Sequence, residues 1–245
     1  CNTLKTHNIN YVVLRDFWIG NICSMSDANC NEIRSILLKN NISIVALVTD
    51  LGKISPNQLL TTSEDKIRRV FDLATYFGAS HIRFCIGTKT TESHDETISK
   101  WMESITNKCL SSNIIPLLEI TSDSYISRPV DVVSLMNRNR YWKILYDPVQ
   151  LILHKNQDPF IKYWILLKNF VGAIDIRDFK IGHGYKPVGF GDARVQLTLQ
   201  DSISTNFRGW YYLEPTLGRR HGGAVSKSET FRMAIEALDI LLSLN

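Results

Sequence analysis

The chain has 245 residues, a formal net charge of +4, and a composition that is 44% hydrophobic, 21% charged and 10% aromatic, which excludes disordered and fibrous classes and allows a large buried core. Basic residues are scattered rather than clustered, so no nucleic-acid footprint is read. No stretch reaches the roughly 18 apolar residues of a membrane span, and the N-terminus lacks a signal-peptide layout. The five cysteines, Cys1, Cys23, Cys30, Cys85 and Cys109, form neither a CxxC pair nor a secreted spacing, so a reducing, cytoplasmic setting is expected.

In chain order, residues 2–7 read as the tail of a helix and YVVL (Tyr11–Leu14) as the first strand. A helix is predicted over Asp27–Lys39, then a strand at Ile42–Val48 (ISIVALV), then a helix over Ser63–Phe77 with Ser63 as its N-cap. The strand His81–Cys85 (HIRFC) leads to the helix Asp95–Ser111, and the strand Ile114–Glu119 (IIPLLE) to the helix Val130–Arg138. KILY (Lys143–Tyr146) precedes a helix over Asp158–Asn169, followed by the strands Val171–Ile176 (VGAIDI) and Trp210–Leu213 (WYYL). A last helix covers Ser226–Leu244, with Ser226 as cap and Glu229 in the capping-box position.

These strands recur about every 30 residues, the size of a strand, crossover helix and return. Continuous apolar strands alternating with amphipathic helices indicate a parallel sheet covered by helices. No glycine-rich phosphate loop follows the first strand, so a barrel is preferred to an open doubly wound sheet. The expectation is a single α/β domain over residues 1–245, a (β/α)8 TIM barrel lacking its first β/α unit, with a genuinely incomplete barrel as the alternative.

Barrel chemistry sits at the C-terminal ends of strands, so the polar residues that end the apolar runs are the candidates. They are Glu119, Asp147, Asp175 and Glu214. A buried unpaired carboxylate costs several kcal/mol, and four at one mouth would repel unless a divalent ion neutralised them. All-oxygen ligands favour Mg²⁺ or Mn²⁺ over Zn²⁺. The structural alternative is that these acids pair with Arg83, Arg177 or Arg208 and brace the fold.

From about Tyr11 onward the chain resembles the xylose isomerase-like barrels, a superfamily of sugar and sugar-phosphate isomerases and epimerases that also holds endonuclease IV-type repair enzymes. The matching segments are DKIRRVFDLATYFGASHIRF, LLEIT, ILYDPVQL, IDIRDFKIGHGYKPVGFGDARV and YYLEPTLG. The resemblance implies one metal held by Glu119, Asp147, position 175 and Glu214. Two positions depart: the family's His-x-Lys-Asp is here Asp175-Ile176-Arg177-Asp178, and its Asp-x-x-His is Asp147-Pro148-Val149-Gln150. The PVGFGD segment resembles the family's Gly-x-Gly-Asp loop, where Asp192 would brace the site.

The activity implied is isomerisation or epimerisation of a sugar or sugar phosphate by proton transfer through a metal-stabilised enediolate. Glu119 and Glu214 would move the proton, and Arg177 would stabilise negative charge or else pair with Asp178 or Asp147. Gln150, His183, Arg219 and Arg220 are the substrate-binding candidates, the two arginines lying where barrels often hold phosphate. Exposure of His183 and a solvated basic loop at 219–220 are the structural alternatives. The alternative functions are a lyase of the dehydroshikimate dehydratase type and a retired sugar-binding barrel. A repair nuclease is disfavoured, because none of the six histidines stands at the strand-end positions. The expected partner is a small molecule, and homo-oligomerisation stays open.

Overall fold

The computed structural model describes residues 1–17, 20–21, 24–121, 123–155, 158–216 and 226–243. They form two compact units, residues 1–118 and 119–245. In the first unit the strands are β1 (Tyr11–Leu14), β2 (Ser43–Val48), β3 (His81–Phe84) and β4 (Ile115–Glu119), whose last residue opens the second unit. In the second they are β5 (Lys143–Tyr146), β6 (Val171–Ile176) and β7 (Trp210–Leu213). In the first unit β1, β2, β3 and β4 pair in parallel in chain order, and in the second β5, β6 and β7 do the same. Doubly wound sheets reverse strand order at a switch point; strictly sequential order is that of a β/α barrel.

The crossover helices are α1 (Asp27–Lys39), α2 (Glu64–Phe77), α3 (Asp95–Ser111), α4 (Pro129–Arg138), α5 (Pro148–Lys155) and α6 (Val195–Ser204), and α7 (Lys227–Ser243) follows the last strand. The inner strands are largely buried on both faces, which is why their runs are continuous rather than alternating, whereas β1 and β7 keep Tyr11 and Tyr211 exposed. Ala46, Leu47, Ile82 and Phe84 are sealed in the first unit, and Ala173, Ile174 and Ile176 in the second. Trp101, on α3, packs edge-on against Phe84 at 6.0 Å and is core.

The caps hold in part. Ser226 accepts from the Glu229 amide at 3.2 Å as expected, whereas the Ser63 side chain makes no cap bond. Helix α2 instead relies on its first-turn acids Glu64 and Asp65 and on Gly78, whose φ of 70° closes the C-terminus in the left-handed region.

Asp158–Asn169 is not the single helix expected. Asp158 Oδ1 accepts from the amides of Phe160 and Ile161 at 3.0 and 3.1 Å. A wide π-turn follows over Phe160–Trp164, then one α-turn (Ile165–Leu167) and a tight 3-10 turn (Lys168–Phe170). The irregular winding buries Tyr163, Trp164 and Leu167, with Trp164 Nε1 donating to Asp201 at 2.7 Å. Helices α5 and α6 go unread in the sequence, although Asp147-Pro148 is a cap followed by a first-turn proline.

Candidate metal centre

Three strand ends in the second unit carry carboxylates that converge. Glu119 closes β4, Asp147 follows β5 directly, and Asp175 is the penultimate residue of β6. One oxygen from each lies within 4.8 Å of the others. The three residues are 5%, 1% and 8% exposed, so their mutual repulsion is poorly screened.

Local folding sets each position. Asp147 caps α5, its Oδ1 accepting from the amides of Val149 at 3.0 Å and Gln150 at 3.3 Å. Asp175 and Arg177 are two apart along an extended run, so both face the same way. Arg177 is buried, and its guanidinium links two acids. Nε lies 3.3 Å from Asp147 Oδ1, Nη2 bonds Asp147 Oδ2, and Nη1 lies 3.1 Å from Glu214 Oε2. The Tyr185 ring sits 5.9 Å from that guanidinium.

The guanidinium thus bonds two carboxylates, Asp147 and Glu214, and a third, Asp175, acts on it electrostatically. Burial disfavours the charged arginine, but Asp147, Glu214 and Asp175 outweigh that effect and raise its pKa. Burial pushes the Asp175 carboxyl well above the ordinary carboxylate range; Asp147, Glu214 and Glu119 push it further, and Arg177 offsets only part. Among the described residues, no hydrogen bond or ion pair reaches the Asp175 carboxylate. A buried anion without a donor, beside two more acids, fits a hard divalent cation. Glu119, Asp147 and Asp175 are the residues that would hold it.

Glu214 stands apart from that trio. Its amide continues the β7 ladder by donating to Ile176 O at 3.2 Å, and its side chain, 22% exposed, turns to Arg177. Gln150 lies half-buried on the first turn of α5. His183 is exposed at the turn of the hairpin Asp178–Lys180/Gly184–Lys186, the structural alternative stated for it. Arg219 and Arg220 lie outside the described residues.

Sequence reasoning named Asp178 only as an alternative partner for Arg177 and missed its role in holding the loop. This buried carboxylate accepts four backbone bonds, to Oδ1 from Phe179 at 2.9 Å and Ala193 at 3.1 Å, and to Oδ2 from Gly189 and Gly191 at 3.0 Å each. It folds the GFGD loop back beside the strand end. At Gly191 a Cβ would fall on Asp178 Oδ1 and lie 2.6 Å from the Phe179 nitrogen, so only glycine permits the approach. Asp192 braces the hairpin, through Lys180 Nζ at 2.6 Å and the Ile181 amide at 3.0 Å. The readable signal was an acid two residues past the strand end, followed by closely spaced glycines.

A sequence comparison with curated proteins finds no match. Solved structures are similar over nearly the whole chain. A xylose isomerase domain-containing protein from Salmonella typhimurium aligns at TM-score 0.76 with 18% identity, covering 98% of this chain and 90% of that one. A xylose isomerase-like TIM barrel protein from Mycobacterium smegmatis, in complex with magnesium, aligns at 0.74 with 16% identity over 98% and 86%. D-allulose 3-epimerase from Methylomonas sp., in complex with D-allulose, aligns at 0.73 with 12% identity over 99% and 88%. At these identities the likeness establishes the fold. The profile of the family described as xylose isomerase-like TIM barrel matches residues 4–242, spanning both units and all seven strands. The chain belongs to the xylose isomerase-like TIM barrel family.

Proposed function

We propose that this protein is a divalent-cation-dependent isomerase or epimerase that moves a proton on carbon beside a carbonyl of a sugar or sugar phosphate. The observation that carries the reading is the convergence of Glu119, Asp147 and Asp175, one oxygen from each within 4.8 Å of the others. Support comes from the magnesium complex and the allulose complex among similarly folded proteins. Mg²⁺ or Mn²⁺ is the preferred ion for an all-oxygen set.

Bound there, the cation supplies Lewis-acid polarisation of the substrate's oxygens. Glu119 and Glu214 are the proton carriers, taking the proton from carbon and returning it. Arg177 Nη1 orients Glu214, and its charge counters the negative charge that develops when the C–H proton leaves. Asp147 fixes Arg177 and is itself fixed by the first amides of α5. Gln150, His183, Arg219 and Arg220 are assigned to substrate binding; the Gln150 backbone N–H donates to Asp147 Oδ1 at 3.3 Å, which supports its part in that assignment.

One observation favours a second reading, a barrel that binds a sugar without turning it over. Arg177 bonds both Asp147 and Glu214, which would leave Glu214 occupied. Incubating Mn²⁺-loaded protein in deuterated water with a panel of keto sugars and with dehydroshikimate distinguishes the cases. Deuterium appearing at a sugar carbon supports the proposal, and loss of water from dehydroshikimate replaces it with a lyase. Ligand-induced thermal stabilisation with no exchange into any substrate would leave only the binding barrel.

A further inference from the structure

Across the β6/β7 ladder, Tyr212 is the register partner of Asp175. Register partners on adjacent strands point to the same face, about 5 Å apart. Tyr212 is only 8% exposed, and its hydroxyl is buried with no hydrogen-bond partner. Asp175, also 8% exposed, has no donor either among the described residues. A buried hydroxyl that lacks an acceptor among the described residues and a carboxylate that accepts no hydrogen bond there therefore stand opposite each other. An orphaned buried hydroxyl is costly, and such groups in folded proteins generally have an occupant or a role.

The chain's own departure explains the pairing. A histidine ligand is neutral and supplies a ring N–H that a neighbour can orient; Asp175 instead adds a charge and a second oxygen that needs a donor. We infer that Tyr212 is a positioning residue for the candidate metal centre: its O–H donates to the Asp175 oxygen that faces away from the cation, fixing the other oxygen for coordination. A turn of the Asp175 side chain, which nothing else in the described structure holds, brings the two together. The inference rests on the cation reading proposed above and adds to it a residue outside the carboxylate set.

Tyr212→Phe tests it, because the ring and its packing remain and only the hydroxyl goes. Titration with Mn²⁺ by calorimetry, together with the melting temperature without metal and the near-ultraviolet tyrosine difference spectrum on metal addition, gives three readouts. Loss of an oriented outer partner weakens metal binding by about 10-fold or more. The expected result is that loss of affinity, with an unchanged or higher metal-free melting temperature and a metal-induced tyrosine signal that disappears in the variant. In an Asp175→Asn background, Tyr212→Phe should cost no further affinity. Equal Mn²⁺ affinity in wild type and Tyr212→Phe overturns the inference while leaving the cation site intact. Absence of Mn²⁺ binding to the wild type overturns the cation reading itself, and this inference with it.

Discussion

Replacing Arg177 by methionine keeps much of the side chain's bulk and removes the guanidinium that bridges Asp147 and Glu214. Asp147 has a fully buried side chain, so losing its partner leaves an uncompensated buried charge, a change that costs about 3–5 kcal/mol. Glu214 is 22% exposed and adds less, because water screens it. For a chain of this size 1 kcal/mol corresponds to about 2–4 °C, so calorimetry in chelator should show the midpoint falling by about 6–20 °C. A divalent cation at about 100 times its Kd returns about 2.7 kcal/mol to any protein that binds it only when folded. At one shared Mn²⁺ concentration the variant should gain more than wild type, because the cation replaces a missing positive charge and binds the variant more tightly. A fall below about 3 °C, or identical Mn²⁺ gains in wild type and variant, would refute the claim that Arg177 neutralises this cluster.

Asp178→Asn keeps the shape but cannot accept all four backbone bonds, and should cost about 3 kcal/mol, read as a lowered denaturant midpoint. Gly191→Ala should destabilise by about 1–3 kcal/mol through the clash with Asp178, with proteolysis of the loop at 187–193 as a local readout. For pH, the folded Asp175 carboxyl titrates above its usual 3.8, so the metal-free folded state binds its proton more tightly than the unfolded chain does. Its effect is therefore destabilising at neutral pH and fades as pH falls through the raised folded value toward 3.8. Asp175→Asn should stabilise the metal-free protein at neutral pH and lose that advantage in acid. A pH-independent difference between the two proteins would contradict the assignment.

The strands were legible because each is a continuous apolar run, and the acids that end them stood out against that background. Glu119, Asp147 and Asp175 could thus be named from position alone, and the structure brings them together. Glu214 was named by the same logic, yet its side chain turns to Arg177. Whether an acid meets other acids or a nearby guanidinium depends on side-chain packing that period and spacing do not encode. Pairing of Arg177 with Asp147 was one of the alternatives read from the sequence; its second bond, to Glu214, needs two strand ends at once. The role of Asp178 in holding the loop escaped because its partners are backbone amides of residues 179, 189, 191 and 193, which leave no side-chain pattern. The irregular winding of 160–170 was likewise hidden, since its apolar spacing matches an ordinary helix while Trp164 is committed to Asp201.

The central claim is that the three converging carboxylates hold a divalent cation. Anomalous diffraction from crystals soaked in manganese tests it directly. The account predicts one anomalous peak within coordination distance of oxygens from Glu119, Asp147 and Asp175, abolished by Asp147→Asn. No peak there after soaking in millimolar manganese, with Arg177 still bridging Asp147 and Glu214, would contradict it.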